Sequence, residues 1–260
     1  QKPASEILSG LVGSEMCIRD RLKSGKYLPK FATNGKLRTG SKSSNLGKSG
    51  KLSKSSKLSK SGKPSKSNKL EKISKQKTIN AISPDKDVDG LHPINAGKLM
   101  NNIECLTPCT PQGSMIMINS IAEDTSGMNA VVLGRSNLVG KPMSQLLINA
   151  NCTVTQVHSK TKDIQSFTSQ ADILVAAIGI PNFVKSDWVK KDAIIIDVGI
   201  NRVASDQNAT AKTKLVGDVD FEDVFDKVSA ITPVPGGVGL MTVACLMNNT
   251  LIATKAQHSL

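Results

Sequence analysis

Between Ile231 and Thr242 the chain reads ITPVPGGVGLMT, an apolar strand that turns through glycines into a helix. Glycine removes the Cβ that would hold a ligand away from the main chain, so Gly236, Gly237 and Gly239 let a ligand approach the backbone, with Thr242 in the first turn of the helix that follows. A second stretch, GRSNLVGKP from Gly134, carries the same logic: a glycine at a strand end, Arg135 and Ser136 beside a helix start, and Gly140 for close helix–strand packing. It replaces the GxGxxG fingerprint and alone would be a weak match. A third, HSKT at His158 to Thr161, offers Ser159, Lys160 and Thr161 where an NAD site commonly places an acid for the ribose hydroxyls. With Arg135 reaching across from the Gly134 loop, a phosphate on the adenosine ribose would meet charge-assisted donors, so NADP is expected over NAD. The plainer alternative for Arg135 and Lys160 is that of solvated surface charges.

These loops need a frame. Ala130 to Gly134 (AVVLG), Cys152 to His158 (CTVTQVH), Ala171 to Gly179 (ADILVAAIG) and Ala193 to Gly199 (AIIIDVG) read as strands, and Leu138 to Asn149 and Thr161 to Gln170 read as helices between them. Strands apolar on both faces that alternate with helices predict an α/β doubly wound parallel sheet of Rossmann-like type. Ligands of such sheets gather at the carboxyl ends of the strands, so the loops at Gly134, His158, Gly179, Gly199 and Pro233 should line one crevice.

The formal charge of +13 suggests nucleic acid until it is located along the chain. Residues 22–78 hold sixteen Lys and Arg38 against the single acid Glu71, which leaves the remainder slightly acidic. From Lys48 to Lys75 a lysine recurs at every third position among Ser and Gly, a period that matches neither helix nor strand. Such a tract cannot bury enough apolar surface to offset the entropy of ordering, so residues 1–78 are expected to be disordered. Tyr27 and Phe31 are its only aromatics, too few to stack on bases, and it is Lys-rich where transit peptides are Arg-rich; a nucleic-acid partner is not expected. The stretch GLVGSEMCIRDR, Gly10 to Arg21, resembles translated library-adaptor sequence, and the start of the chain is expected not to be natural protein.

No run reaches the roughly 18 apolar residues that span a bilayer, and the five cysteines show no metal-binding spacing. Neither a membrane nor a metal is expected. A reduced, cytoplasmic compartment is expected, with an organelle as the alternative, and Cys152 and Cys245 read as packing residues.

Four long segments in order, PDKDVDGLHPINAGKL from Pro84, TPCTPQG from Thr107, VVLGRSNLVGKPM from Val131 and ITPVPGGVGLMT from Ile231, resemble the bifunctional methylene-tetrahydrofolate dehydrogenase/methenyl-tetrahydrofolate cyclohydrolase family. The resemblance covers roughly residue 79 to the end. It implies a division into the basic segment 1–78, a remnant of the folate-binding domain and connection at 79–120, and an NADP-binding domain at 121–260. It also implies that Gly134, Arg135, Ser136, Ser159, Ile200 and Thr242 contact the dinucleotide, with Cys109 and Thr110 near the nicotinamide end. Asp89, in KDVDG, matches the family's pterin-binding aspartate; an ionised carboxylate can accept from a ring N–H and an amino group together. From the residues alone, Asp89 is a turn residue before Gly90. The implied partners are a tetrahydrofolate derivative as substrate and a second copy of the chain, as a homodimer through the dinucleotide domain.

Two departures stand out. Leu240 occupies a helix-start position where the family usually has proline, which would preset the backbone there. More consequentially, the family's folate-binding domain carries a tyrosine and a lysine four residues apart and a later glutamine in a QLPLP-like segment. Here Tyr27 is followed four residues on by Phe31, and Gln76 lies in a lysine-rich stretch. The family's proposed general acid/base is that lysine, and a mobile substitute would lose most of the benefit of orientation. No catalytic residue is therefore assigned. The expected function is NADP-dependent oxidation of methylene-tetrahydrofolate to methenyl-tetrahydrofolate, with cyclohydrolase activity in the complete family protein, in a truncated or mis-joined copy. The alternatives are an NADP-binding protein without catalysis and a basic polyanion-binding module.

Overall fold

The computed structural model describes residues 75–205 and 213–258. Most of the Lys/Ser tract, with its expected disorder, and the adaptor-like stretch lie outside the described residues. Helix α1 (Lys75–Ala81) includes Lys75 to Thr78, which the composition had assigned to the end of that tract.

Five parallel strands form the main sheet: β1 (Asn129–Leu133), β2 (Thr153–Val157), β3 (Ile173–Ala176), β4 (Ile194–Asp197) and the short β7 (Ala230–Ile231). Their order is β2-β1-β3-β4-β7. The register aligns Thr155, Val131, Leu174, Ile195 and Ile231 in one row across all five strands, and Val154, Ala130, Ile173, Ile194 and Ala230 in the next. Because side chains alternate along a strand, these rows point to opposite faces. Val131, Leu174, Ile195 and Ile231 pack with Val184, Val189, Val224 and Val228 on one side. Ala130, Ile173 and Ile194 pack with Met115, Ile118, Met143 and Leu147 on the other. A strand buried on both faces has no polar side to show, which is why AVVL, ILVA and III read as continuous apolar runs.

Helix α4 (Gly140–Asn149) connects β1 to β2, and the short α5 (Ile164–Thr168) connects β2 to β3. The first starts two residues later than the periodicity predicts, because Ser136 ties the intervening turn. The second is only five residues long, capped by Asp163, whose Oδ1 accepts from Ser166 N at 3.4 Å. The sequence reading missed α2 (Pro93–Met100), α3 (Cys109–Asn119), the antiparallel hairpin β5 (Asn201–Ala204) with β6 (Thr213–Val216), and the one-turn α6 (Phe221–Val224). Helix α3 lies against α7 (Val238–His258) so closely that a Cβ on Gly113 would stand 2.8 Å from Met241 Cβ. Met115, Met117 and Ile118 of α3 share a core with β1, β3 and β4. Burial of each such side chain contributes roughly 1.5–3 kcal/mol.

The chain passes from β1 outward to β2 and then returns to the other side of β1 to form β3. At this reversal the chain leaves β1 and β3 in opposite directions from their carboxyl ends, and it is where open α/β sheets hold their ligands.

Candidate functional site

At the switch point the backbone sets the geometry. Gly134 N donates to Val157 O at 2.9 Å, joining the ends of β1 and β2. Gly134 has φ +126°, and a Cβ there would stand 2.3 Å from Ala177 O, so the loops after β1 and β3 are nearly in contact and only glycine fits. Gly140 is equally constrained: its Cβ would meet Gly134 O at 2.3 Å and Arg135 Cα at 2.8 Å. Helix α4 thus starts directly against the loop that the sequence had singled out.

The helix-start amides are less open than the sequence suggests. Ser136 Oγ accepts from Val139 N at 3.1 Å and from Gly140 N at 3.3 Å, while Ser136 O accepts from Lys141 N at 3.0 Å. Position 142 is proline and has no amide hydrogen. Ser136 therefore ties down the amides at the start of α4, while Arg135 and Ser136 are exposed at the crevice mouth.

After β2, Thr161 N donates to His158 O at 2.8 Å and His158 N donates to Thr161 Oγ1 at 3.0 Å, which closes a tight turn. Lys160 N donates to His158 Nδ1 at 3.1 Å. The turn spends His158 and Thr161 on itself and leaves the Ser159 and Lys160 side chains exposed. The next acid, Asp163, is the cap of α5.

Beyond β4 and β7, a cleft of about 220 Å³ is walled by Asp197, Gly199, Ile200, Leu215, Pro233 and the Gly236–Leu240 turn. Ile200 is 65% exposed and Leu240 is 62% exposed, an apolar pair open to solvent. A Cβ placed on Gly236 or Gly239 would meet nothing within 4 Å, so this turn has room for a ligand along its backbone. Leu240 lies inside α7, and its amide donates to Gly237 O at 3.2 Å.

Thr242 falls in the fifth position of α7, slightly deeper than the first turn. Its Oγ1 donates to Val238 O at 3.1 Å and lies 3.0 Å from Thr110 Oγ1. The starts of α3 and α7 therefore meet at the carboxyl edge of the sheet. Cys109, the first residue of α3, donates from Sγ to Val88 O at 3.4 Å, which draws the KDVDG turn to the same edge. Burial, and next the charge of Asp89, push the Cys109 thiol up, so it stays protonated. Burial also raises the thiols of Cys105 and Cys152. Cys152 and Cys245 are buried, as expected of packing residues.

The two acids of KDVDG divide their work. Asp87 is buried and accepts from Leu91 N at 3.1 Å, His92 N at 2.7 Å and Asn95 Nδ2 at 2.9 Å. Asp89 is exposed in the turn before Gly90, whose φ is +67°. Asp89 is thus a turn residue that is open to solvent. Asn249, deep in α7 and 1% exposed, fastens the segment by donating from Nδ2 to Val88 O at 2.8 Å and Thr107 O at 2.9 Å.

All nine singled-out residues, Asp89, Cys109, Thr110, Gly134, Arg135, Ser136, Ser159, Ile200 and Thr242, lie along one edge, from the KDVDG turn across to the end of β2. Three residues escaped sequence reasoning: Asn249, Asp197 and Asp218. Asp197 is pushed up to about 6, first by burial and against the pull of three amide hydrogen bonds. A signal for the two acids was present, because each stands at or just after a strand end beside glycine, in IIIDVG and LVGDV. Among the described residues there is no His/Cys/Asp/Glu group that could hold a metal ion and no helix long and apolar enough to cross a membrane.

The geometry agrees with what the chain is similar to. The family model described as tetrahydrofolate dehydrogenase/cyclohydrolase, NAD(P)-binding domain, matches residues 108–258. The curated relative named bifunctional protein FolD from Parvibaculum lavamentivorans is 55% identical over 185 residues, which is 71% of this chain and 62% of the relative. A FolD relative from Wolbachia pipientis subsp. Culex pipiens is 57% identical over 182 residues, 70% of this chain and 60% of the relative. The chain thus spans less than two thirds of these curated relatives. Among solved structures, the bifunctional FolD methylenetetrahydrofolate dehydrogenase/cyclohydrolase from Campylobacter jejuni matches with TM-score 0.67 at 46% identity, over 71% of this chain and 63% of that one. The Trypanosoma brucei enzyme, solved with NADP cofactor and inhibitor, matches with TM-score 0.67 at 39% identity, over 72% of this chain and 64% of that one.

Proposed function

Because the chain belongs to the tetrahydrofolate dehydrogenase/cyclohydrolase family and contains its NAD(P)-binding domain, we propose that it supplies the NADP-holding wall of a methylene-tetrahydrofolate dehydrogenase. The reaction is NADP-dependent oxidation of methylene-tetrahydrofolate to the methenyl compound, with cyclohydrolase activity belonging to the whole family protein. The observation that carries this reading is the placement of the Gly134 loop, the acid-free turn at Ser159, Ile200 and the Thr110–Thr242 pair along one carboxyl edge.

The site residues take these roles. Arg135, Ser159 and Lys160 face the phosphate on the adenosine ribose, and Ser136 meets the pyrophosphate. Gly134 and Gly140 hold that loop against the sheet. Ile200 and the Gly236–Leu240 turn cover the nicotinamide half, with Cys109, Thr110 and Thr242 at its far end. The Cys109 thiol, kept protonated, is a neutral contact there. When bound, the nicotinamide accepts the hydride; the chain's own contribution is to orient the ring and exclude water. Asp89, presented outward near Cys109, accepts from the pterin.

Residues 79–120 form the remnant of the folate-binding wall and residues 121–260 the dinucleotide-binding unit, with α3 packed against both α7 and the sheet. A homodimer through the dinucleotide unit and a cytoplasmic setting complete the reading. The test is spectrophotometric: full-length chain, NADP and methylene-tetrahydrofolate, with absorbance followed at the wavelength of reduced nicotinamide. Turnover supports the dehydrogenase reading. Dinucleotide binding without turnover supports the second reading, a cofactor-binding protein without catalysis, which is favoured by Phe31 four residues after Tyr27 where the family has lysine.

A further inference from the structure

Two carboxylates play no part in that scheme, yet they sit directly beneath it. Asp197, the last residue of β4, is 3% exposed, and Asp218, just after β6, is 0% exposed. Asp197 Oδ1 accepts from Gly199 N and Asp218 N, both at 2.9 Å, and its Oδ2 accepts from Val219 N at 2.9 Å. Asp218 Oδ2 accepts from Ile178 N at 2.7 Å and Gly179 N at 2.9 Å, and its Oδ1 accepts from Asn201 Nδ2 at 2.8 Å. The two acids form a relay: the end of β4 holds the 217–219 turn, and that turn holds the end of β3 and the start of β5.

The packing leaves no slack in this relay. A Cβ on Gly199 would stand 2.2 Å from Asp218 Oδ1, and one on Gly217 would stand 1.8 Å from Asp197 Oδ2. Asn201 Nδ2 also reaches Gly217 O at 3.2 Å. Ile200 is therefore pinned on both sides, through Gly199 N and the Asn201 side chain, while its own side chain stays in solvent. A carboxylate is costly to bury, but at this edge the strands have ended and their amides have no further strand to pair with. Carboxyl oxygens satisfy several such amides at once and fix the loops before a ligand arrives.

The direction of the cofactor follows from the strand order. Its adenosine ribose phosphate lies at Arg135 and Ser159, at the ends of β1 and β2. Strand β4 is three steps from β2, roughly 14 Å at the usual strand spacing. The nicotinamide half therefore lies over the β4 and β7 ends, at Ile200 and the cleft that Asp197 helps to wall.

We propose, resting on the dinucleotide reading above, that Asp218 held by Asp197 is a positioning residue for the nicotinamide half of the cofactor, acting through Ile200 and the Gly179 turn. Preset loops lower the ordering cost of binding, so the effect is confined to the half that those loops touch. The adenosine half, held from β1 and β2, does not depend on it.

The experiment uses the full chain with two probes: NADPH, read by its own fluorescence, and 2′,5′-ADP, which carries only the adenosine half. Asn201→Ala removes the side chain that ties Ile200 to Asp218. It is expected to weaken NADPH about tenfold and to reduce the fluorescence change on binding, while 2′,5′-ADP stays within about twofold. Asp218→Asn should act in the same direction and more strongly; should it fail to fold, Asn201→Ala decides. Parallel weakening of both probes, or of neither, overturns the positioning role. If the unsubstituted chain binds neither probe, the dinucleotide reading fails and takes this inference with it.

Discussion

Thr110 Oγ1 lies 3.0 Å from Thr242 Oγ1, a contact between residues 132 positions apart. Since Thr242 donates its own hydroxyl hydrogen to Val238 O, Thr110 is the donor to Thr242. The bond joins the first turn of α3 to α7 just beyond its first turn, at the edge where the proposed nicotinamide end of the crevice lies. Thr242→Val keeps the shape and removes the acceptor. A stability loss of about 1 kcal/mol in urea denaturation is expected, together with weaker NADPH binding. Unchanged values for both would mean that the pair contributes nothing at this edge.

Gly140→Ala should be severe for a single methyl group. The new Cβ would meet Gly134 O at 2.3 Å, and a carbonyl at the end of a buried strand has little room to move. Overpacking of this kind costs about 1–3 kcal/mol. The Gly134–Ser136 loop is expected to shift outward, so dinucleotide binding should fall more than the denaturation midpoint does. A fully retained NADPH affinity would show that the loop is not part of the site.

Arg135→Ala separates the two dinucleotides. A charge-assisted bond to phosphate is worth about 1.5–3 kcal/mol, so NADP should bind about tenfold to a hundredfold less tightly while NAD is unaffected. The difference should shrink as salt is added, because Arg135 is exposed. Equal losses for NADP and NAD would place Arg135 away from the ribose phosphate.

Asp197 gives the fold a pH signature. Burial lifts its carboxyl from the usual 3.8 to about 6, so between those values the folded chain holds a proton that the unfolded chain has released. By linkage, its contribution to stability falls as pH rises from about 4 to 6 and is recovered on acidification, an amplitude of about 3 kcal/mol. Asp172 moves the opposite way: its carboxyl is held below the ordinary range by Lys190 and the Asn129 amide, so its contribution is present above that range and lost only below about pH 4. Urea titrations between pH 4.5 and 7 should therefore show a downward slope with rising pH that Asp197→Asn flattens. A slope unaffected by that substitution would mean that Asp197 titrates normally.

The sheet was legible in the sequence because Val131, Leu174 and Ile195 belong to strands buried on both faces, and such strands leave continuous apolar runs. The loops were legible because glycine, proline and small polar residues cluster where strands end. What escaped notice was stabilised at long range. Helix α3 has a proline, a glycine and small polar residues in its first turns, and its place depends on Gly113 meeting Met241, a contact that no local pattern announces. The β5–β6 hairpin lacks apolar alternation, and its first residue, Asn201, is secured by Asp218. The KDVDG acids differ in kind. Asp89 was ambiguous in sequence because a turn residue and a ligand-facing acid have the same local signature; Asp87, buried and spent on Leu91, His92 and Asn95, resolves which acid of KDVDG serves the fold.

The most direct measurement is calorimetric titration of the full chain with NADP and, separately, with NAD. One site per chain, with NADP bound at least about tenfold more tightly, is the expected result from Arg135, Ser159 and Lys160 in a crevice without a ribose-binding acid. No heat with either nucleotide, or a preference for NAD, would contradict the assignment of this edge as an NADP site.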